Sequence, residues 1–492
     1  MKKSIVRMLP LLLAALFLIS ACASGTSVET TAPEAQTDGQ NEQASSDEET
    51  TAAYLDHVTS RYDGEEIHIL YWKDRENQEY FAEELSGAEV NDAIFRRNAK
   101  VEDKLGAKLV FIGTAGNSSK ANDFKSFVEK SVKNGSGDDV FDVISAHSRS
   151  IGLCTYSGFT VDLNGLGSID LSKPWWPSLL TETCRVNNQL HFLSGDISTN
   201  MLYMMYSVFY NKDMLVSLNI EDPFDDVKNG SWTIERMLAL AKDVYADEDA
   251  EVGKSDGDRF GIVSSKLHCD ALLYGSDIVG VENVNGVLQL SEDFKGEKMV
   301  NLIEKISTGF ANSKDGFIGS GYKDIFRRGQ SLFIIDRADI AINDLAEKNF
   351  ETLAILPAPK YDSDQKDYRT AIGNPFSLYA IPTNAQNPEK SADFLEVSAA
   401  ESYVEVTPVI FEISMKIRYA GGSNDAYCYD LIRAGAVYDP SRIFWKVFTT
   451  APDTMFQNQL EKGSEGWSAA VKENTKNLNS IIKKINKAYG VN

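Results

Sequence analysis

Gly195-Asp196-Ile197-Ser198-Thr199-Asn200-Met201-Leu202-Tyr203-Met204-Met205-Tyr206-Ser207-Val208-Phe209-Tyr210-Asn211-Lys212 is the stretch on which the reading of the fold turns. From Met201 to Tyr210 it contains no charge, no glycine and no proline. Such a run predicts a strand buried on both faces, although a short buried helix would have the same pattern. The residues before it read as one α/β layer, and those after it start another. The stretch is therefore expected to cross from one lobe into a second. Gly195 and Asp196 would border a cleft, and Tyr210-Asn211-Lys212 would open the second lobe.

Upstream, residues 67–72 form a strand pattern, and Val90, Ile94, Val101 and Leu105 recur at helical spacing. Gly106 comes next, where a left-handed cap is expected. A second strand is expected at 108–112. A second helix carries Phe124, Phe127, Val128 and Val132 and stops at Gly135, and a third strand covers 140–146. Strand and helix alternating in this way predict an α/β chain with a parallel, doubly wound sheet and right-handed crossovers. Ligands of such sheets sit outside the carboxyl ends of the strands, which singles out the loops at 72–77 and 146–150. Downstream, Thr233 or Ser231 caps a helix through Ile234, Met237, Leu238 and Ala241, with Glu235 complementing its dipole. Further strands are expected at 260–263, 331–335, 353–356 and 378–381, and a helix at 299–306. The tail is helical, with Trp467, Val471, Leu478, Ile481, Ile482, Ile485 and Tyr489 on one stripe.

Residues 1–21 read as a signal peptide: Lys2, Lys3 and Arg7 precede an apolar core too short to span a bilayer. Ile19-Ser20-Ala21-Cys22 resembles the bacterial lipobox, which implies cleavage before Cys22 and an acyl (palmitate-type) anchor there, each buried methylene adding about 0.8 kcal/mol. Residues 22–53 are polar and, after Cys22, lack aromatics. They read as a disordered tether spanning roughly 30 Å. The roughly 440 residues that remain are too many for one ordinary core, so two lobes are expected. The formal charge is −23, and loss of the leader makes it three units more negative. A body so acidic is not expected to bind nucleic acid or to lie flat on anionic lipid. Cys154, Cys184, Cys269 and Cys428 are scattered without metal-site spacing and read as buried free thiols. Asp247, Glu248, Asp249, Asp256 and Asp258 lack calcium-loop spacing and read as a solvated acidic loop, so no metal and no cofactor are expected.

The order of these pieces resembles the extracellular solute-binding proteins of ABC importers, particularly the group related to maltose- and oligosaccharide-binding proteins. The resemblance rests on the lipobox and tether, on Val143-Ile144 running into Ser145-Ala146-His147, and on Val161-Asp162-Leu163. It rests also on Phe209-Tyr210-Asn211-Lys212, Trp232-Thr233, Phe326-Arg327-Arg328-Gly329 with Phe333, and Ile355-Leu356-Pro357-Ala358-Pro359. It implies a two-lobed periplasmic-binding-protein-like fold, the lobes joined by hinge crossovers with a ligand cleft between them. Lobe 1 would be 54–204 plus 357–388, and lobe 2 would be 205–356 plus 389–492, the chain crossing near 202–207, after Pro357 and near 385–392. It implies a monomer on the outer face of the cell membrane, anchored through lipid on Cys22. Such a protein captures a small-molecule solute, an oligosaccharide before a peptide, and hands it to ABC permease subunits. A lipoprotein presenting solute to a membrane sensor is the alternative. An exported glycoside hydrolase is the opposing class. No His-Glu-x-x-His, Gly-x-Ser-x-Gly or P-loop is present, and abundant acids carry no signal of a catalytic pair, so no enzyme is expected.

Oligosaccharide sites set aromatic faces against sugar rings and bond the hydroxyls with charged and amide groups. Trp72 stands at a strand's carboxyl end, as a platform or as core. Asp74 and Arg75 occupy a loop that gives an acidic and a basic contact in maltose-binding relatives. His147-Ser148-Arg149 resembles their His-Asp-Arg segment: Arg149 carries over, Ser148 departs, and Ser145 replaces a tryptophan, which counts against a maltose-like pose. His147 reads equally as a packed strand end. Trp176, in Pro174-Trp175-Trp176-Pro177, is a second platform or a structural corner. After the strand at 331–335 the relatives place a tryptophan; here Asp336 and Arg337 stand instead. Trp445 and Asn374 complete the candidates.

Overall fold

The computed structural model describes residues 54–249, 251–343, 353–411 and 422–491. The leader, Cys22 and the whole tether lie outside the described residues. Among the described residues thirteen strands are assigned: β1 (Glu66–Trp72), β2 (Lys108–Thr114), β3 (Val143–His147), β4 (Tyr206–Asn211), β5 (Phe260–Ser264), β6 (Val281–Val284), β7 (Val287–Leu290), β8 (Gly316–Ile318), β9 (Ser331–Arg337), β10 (Leu353–Leu356), β11 (Thr370–Ala371), β12 (Ser377–Ala380) and β13 (Ala436–Val437). They form two principal sheets. The first has the order β12-β3-β1-β2 and the second β10-β4-β9-β5-β8, with β6-β7 and β11-β13 as separate pairs.

In the first sheet β1 runs parallel to β2 and β3, with Ile69 opposite Phe111 and Leu70 opposite Ile144, while β12 closes the edge antiparallel to β3. Every residue of β3, β4, β10 and β12 is buried. That is why their sequences read as continuous apolar runs without alternation. Helices cover the sheets with the stripes expected of them. Glu89–Leu105 buries Ile94, Val101 and Leu105 and ends at Gly106, whose φ of 59° is the left-handed cap. Thr233 caps Ile234–Ala241, its hydroxyl accepting from the Arg236 amide at 3.2 Å. Cys154, Cys184, Cys269 and Cys428 are all buried free thiols. Among the described residues no helix is long and apolar enough to cross a membrane.

The stretch from Gly195 to Lys212 differs from the single strand expected. Thr199–Tyr203 is a short helix, and only Tyr206–Asn211 is strand, as β4. A run with no polar punctuation carries no period to separate the two forms. Tertiary partners decide: the Asn200 amide donates to Glu79 at 3.1 Å and the Met201 amide to the Ser198 carbonyl at 2.9 Å. Between helix and strand, the Met204 carbonyl accepts from Gly373 N–H at 2.6 Å and that of Met205 from Ala338 N–H at 2.8 Å. The segment joining the short helix to β4 is therefore flanked by the chain just after β9 and by the chain between β11 and β12.

The helix at the expected boundary of 388/389 has partners in the first sheet's layer. Helix Pro388–Glu401 stays with the first sheet: Tyr62 donates to Asp393 at 2.5 Å, and Lys390 pairs with Glu65 at 3.3 Å. Just beyond it, Arg97 donates to Ser402 at 3.2 Å. Twelve consecutive residues of this helix, Lys390 to Glu401, are buried.

Glu79 ties the first sheet to the short helix. It is fully buried and accepts from the hydroxyls of Tyr379 at 2.5 Å and Ser377 at 3.0 Å. Burial pushes its carboxyl up to about 7 against the lowering effect of these bonds. A carboxyl whose folded pKa is raised holds a proton that the unfolded chain has released, so its stabilising share is present at low pH and lost as pH rises through about 7. Urea unfolding of Glu79→Gln beside the wild type is expected to show their difference in stability changing by about 1 kcal/mol between pH 6 and 8, the wild type gaining at pH 6. A difference constant across that range would mean that Glu79 does not titrate there.

Candidate functional site

The carboxyl ends of β1, β3, β5 and β9 carry the candidate groups, as expected of open α/β sheets. Trp72 ends β1, but it is buried: its indole N–H donates to Ser377 Oγ at 3.1 Å and its ring meets His147 edge-on at 5.6 Å. It forms the floor rather than an open stacking face. Arg75 lies over it at 5.9 Å and donates to Gln78 at 2.8 Å. Asp74 is exposed and accepts from Asn117 at 3.4 Å.

His147 ends β3 and caps the helix Ser148–Tyr156, its Nδ1 accepting from the Arg149 amide at 3.1 Å. Burial, followed by the charges of Arg149, Lys446 and Arg75, holds it well below the ordinary histidine range, so the ring is neutral. Arg149 stacks its guanidinium over Trp445 at 4.2 Å and faces Asp453 at 3.7 Å. Burial lowers its pKa to about 10, which leaves it charged at neutral pH.

From the second sheet, Asp336, the next-to-last residue of β9, is fully buried. It accepts from Tyr322 at 2.5 Å and from the Arg337 amide at 2.7 Å, with His268 at 3.4 Å and Lys323 at 3.6 Å. Burial lowers His268 to about 4, so this ring too is neutral. Arg337 lies 3.5 Å from Asp339 and donates to Met204 Sδ at 3.3 Å, beside the segment that joins the short helix to β4.

One residue without any sequence signal joins the two groups. Arg442 is buried, donates through Nε to Asn374 at 3.0 Å, and lies 4.9 Å from the Tyr274 ring and 5.9 Å from that of Tyr206. Its Nη1 is 3.8 Å from Asp270, too long for a hydrogen bond, and neither Nη1 nor Nη2 has a hydrogen-bond partner among the described residues. Burial works against its charge, but Tyr274, Asp270, Tyr206 and Asp453 more than offset it. Asp270 accepts from Gln457 at 2.9 Å on one oxygen only, and burial raises it to about 7. Asn374 in turn connects to the first sheet, its carbonyl accepting from Ser148 at 2.8 Å. Tyr206 meets His268 at 5.5 Å, which closes the chain to Asp336.

The candidates thus separate. Trp72, Arg75, His147 and Arg149 come together with Trp445; Asp336 and Arg337 gather across Arg442 and Tyr206. Trp176 stands apart as a structural corner, buried with its indole N–H on Glu396 at 2.8 Å. Arg442, Asp270, Asp453, Lys446, His268 and Tyr322 were not found from sequence. Two surface cavities, of about 390 Å³ at Trp175, Tyr403 and Arg433 and about 430 Å³ at Tyr361, Lys298 and Arg369, lie away from this network. In the first, the one cation is already held by both oxygens of Asp196 at 2.8 Å.

Among solved structures the chain is similar to the galacto-N-biose/lacto-N-biose I-binding protein of an ABC transporter from Bifidobacterium longum, in complex with lacto-N-biose. The match has 11% identity and a TM-score of 0.56, and spans 87% of this chain and 99% of the other. It is also similar to an extracellular solute-binding protein from Staphylococcus aureus in complex with maltose, at 12% identity and TM-score 0.54 over 86% and 99% of the two chains. A cyclo/maltodextrin-binding protein with maltotetraose matches at 12% and 0.54, over 87% and 98%. No protein-family model and no curated protein sequence matches. The fold is the two-lobed α/β fold of solute-binding proteins.

Proposed function

We propose that this chain is an extracytoplasmic solute-binding protein, held to the membrane by lipid on Cys22, that captures an oligosaccharide and delivers it to an ABC-type importer. We read it as a monomeric binder rather than an enzyme. The two principal sheets are taken as the cores of two lobes, divided near 204/205 and after Leu356, with Pro388–Glu401 kept in lobe 1. The carrying observation is that charged and aromatic groups from the ends of both sheets converge on Arg442, whose two terminal nitrogens are buried without a hydrogen-bond partner among the described residues. Hydroxyl groups of a sugar, each donor and acceptor at once, suit a cluster that offers guanidinium N–H and carboxylate oxygen side by side. The fold's neighbours include proteins bound to lacto-N-biose, maltose and maltotetraose. A ligand that binds better when the lobes are closed would draw them together, and by no more than that difference in affinity.

A thermal-shift panel on residues 54–492 tests this reading. One class of oligosaccharide is expected to raise the melting midpoint, since a ligand at about one hundred times its Kd adds roughly 2.7 kcal/mol to the folded state. Silence across a broad panel of oligosaccharides and peptides, together with turnover of any glycoside, would refute it.

A further inference from the structure

The formal charge is −23, yet at the Trp72 end of the site Arg75, Arg149 and Lys446 converge, and these three cations are the charges acting on His147. Lys446 lies 5.3 Å from the Trp445 ring whose face Arg149 covers. Its ammonium is lowered by partial burial and by Arg149. The acids nearby attract these cations without hydrogen-bonding them. Asp74 turns to Asn117, while Asp453 and Asp270 stay 3.7 and 3.8 Å from Arg149 and Arg442, beyond hydrogen-bond reach. Arg149 Nε and both terminal nitrogens of Arg442 are buried without a hydrogen-bond partner among the described residues. Donors of this kind, left unmade in a buried place, are strongly unfavourable unless a ligand supplies acceptors. A neutral hydroxyl offers each acceptor with a proton that needs its own partner. A carboxylate is acceptor only, fits the guanidinium fork, and cancels charge.

From this juxtaposition we propose that the cleft selects acidic oligosaccharides, with a ring carboxylate of a uronic acid held by Arg149 and Lys446 and sugar hydroxyls bonded around Arg442. This rests on the solute-binding reading above and narrows it to one class of glycan. The burial that raises Asp270 to about 7 adds to the preference, because a partly neutral Asp270 leaves the Arg442 charge less fully matched.

The test is titration calorimetry of residues 54–492 with oligogalacturonate, oligoalginate and a glucuronate-bearing xylo-oligosaccharide, each against its carboxyl-reduced form. At least one acid is expected to bind about 10- to 100-fold more tightly than its reduced form, the range of one or two charge-assisted hydrogen bonds. Its affinity should weaken as sodium chloride is raised. Lys446→Gln, on a half-exposed side chain, should reduce that ratio while leaving the melting midpoint unchanged, and Arg149→Gln should reduce it further. Equal binding of acid and reduced forms, or binding of neutral glycans only, would overturn this proposal and leave the solute-binding reading standing. No binding by any glycan would overturn both.

Discussion

Replacing Val208 by Asp is expected to unfold the protein. Val208 is fully buried in β4, opposite Ile335 of β9 on one side and Leu356 of β10 on the other. The substitution forfeits roughly 1.5–3 kcal/mol of apolar burial. It also places a carboxylate where no donor faces it, a further penalty of several kcal/mol even after its pKa rises. Against a typical stability of about 5–15 kcal/mol, that is enough to abolish the native state or most of it. Val216→Asp is the control: Val216 is 82% exposed on the helix Lys212–Leu218, and its replacement should change stability by less than about 1 kcal/mol. Urea unfolding and soluble yield of both variants decide the matter. Equal yields with overlapping transitions would mean that β4 does not hold the second sheet together.

The second large effect belongs to Arg442. Arg442→Met keeps the bulk of the side chain but removes the charge beside Asp270 and the donor to Asn374. Solute affinity is expected to fall by a factor of about 100 or more, as for a buried charged partner lost to a ligand. Stability should fall as well, by about 3 kcal/mol, because Asp270 is left buried without its cation. Adding Asp270→Asn should recover much of the stability, since the uncompensated carboxyl is gone, but none of the binding. That split separates a recognition role from a scaffolding one. Recovery of binding together with stability would show that Arg442 serves only the fold.

How much of this could be read in the sequence depends on which force acts locally. Doubly buried strands announced themselves because β3, β4, β10 and β12 have no exposed face to interrupt their apolar runs. Gly106 and Thr233 were legible because a cap is decided by one or two residues. The helix Thr199–Tyr203 was not, because its hydrogen-bond partner Glu79 comes from a distant part of the chain. Site residues obeyed the same division. Arg337 ends β9 and Arg149 opens the helix just after β3, places where topology alone raises suspicion. Asp270 and Arg442 sit in Cys269-Asp270 and Ser441-Arg442, where a charge destined for burial looks like any solvated one. Tryptophan left two readings open: Trp72 and Trp176 could be platforms or core, and both donate their indole N–H groups to buried partners.

The central claim is that solute is held where the ends of the two sheets converge on Arg442. Its most direct test is the crystal structure of residues 54–492 with the solute that gives the largest thermal shift. We expect that solute within hydrogen-bond distance of Arg149, Arg442 and a group at the carboxyl end of β9, and between the two sheets. Solute seated instead against Trp175 and Arg433, or on the surface at Tyr361 and Arg369, would contradict the account.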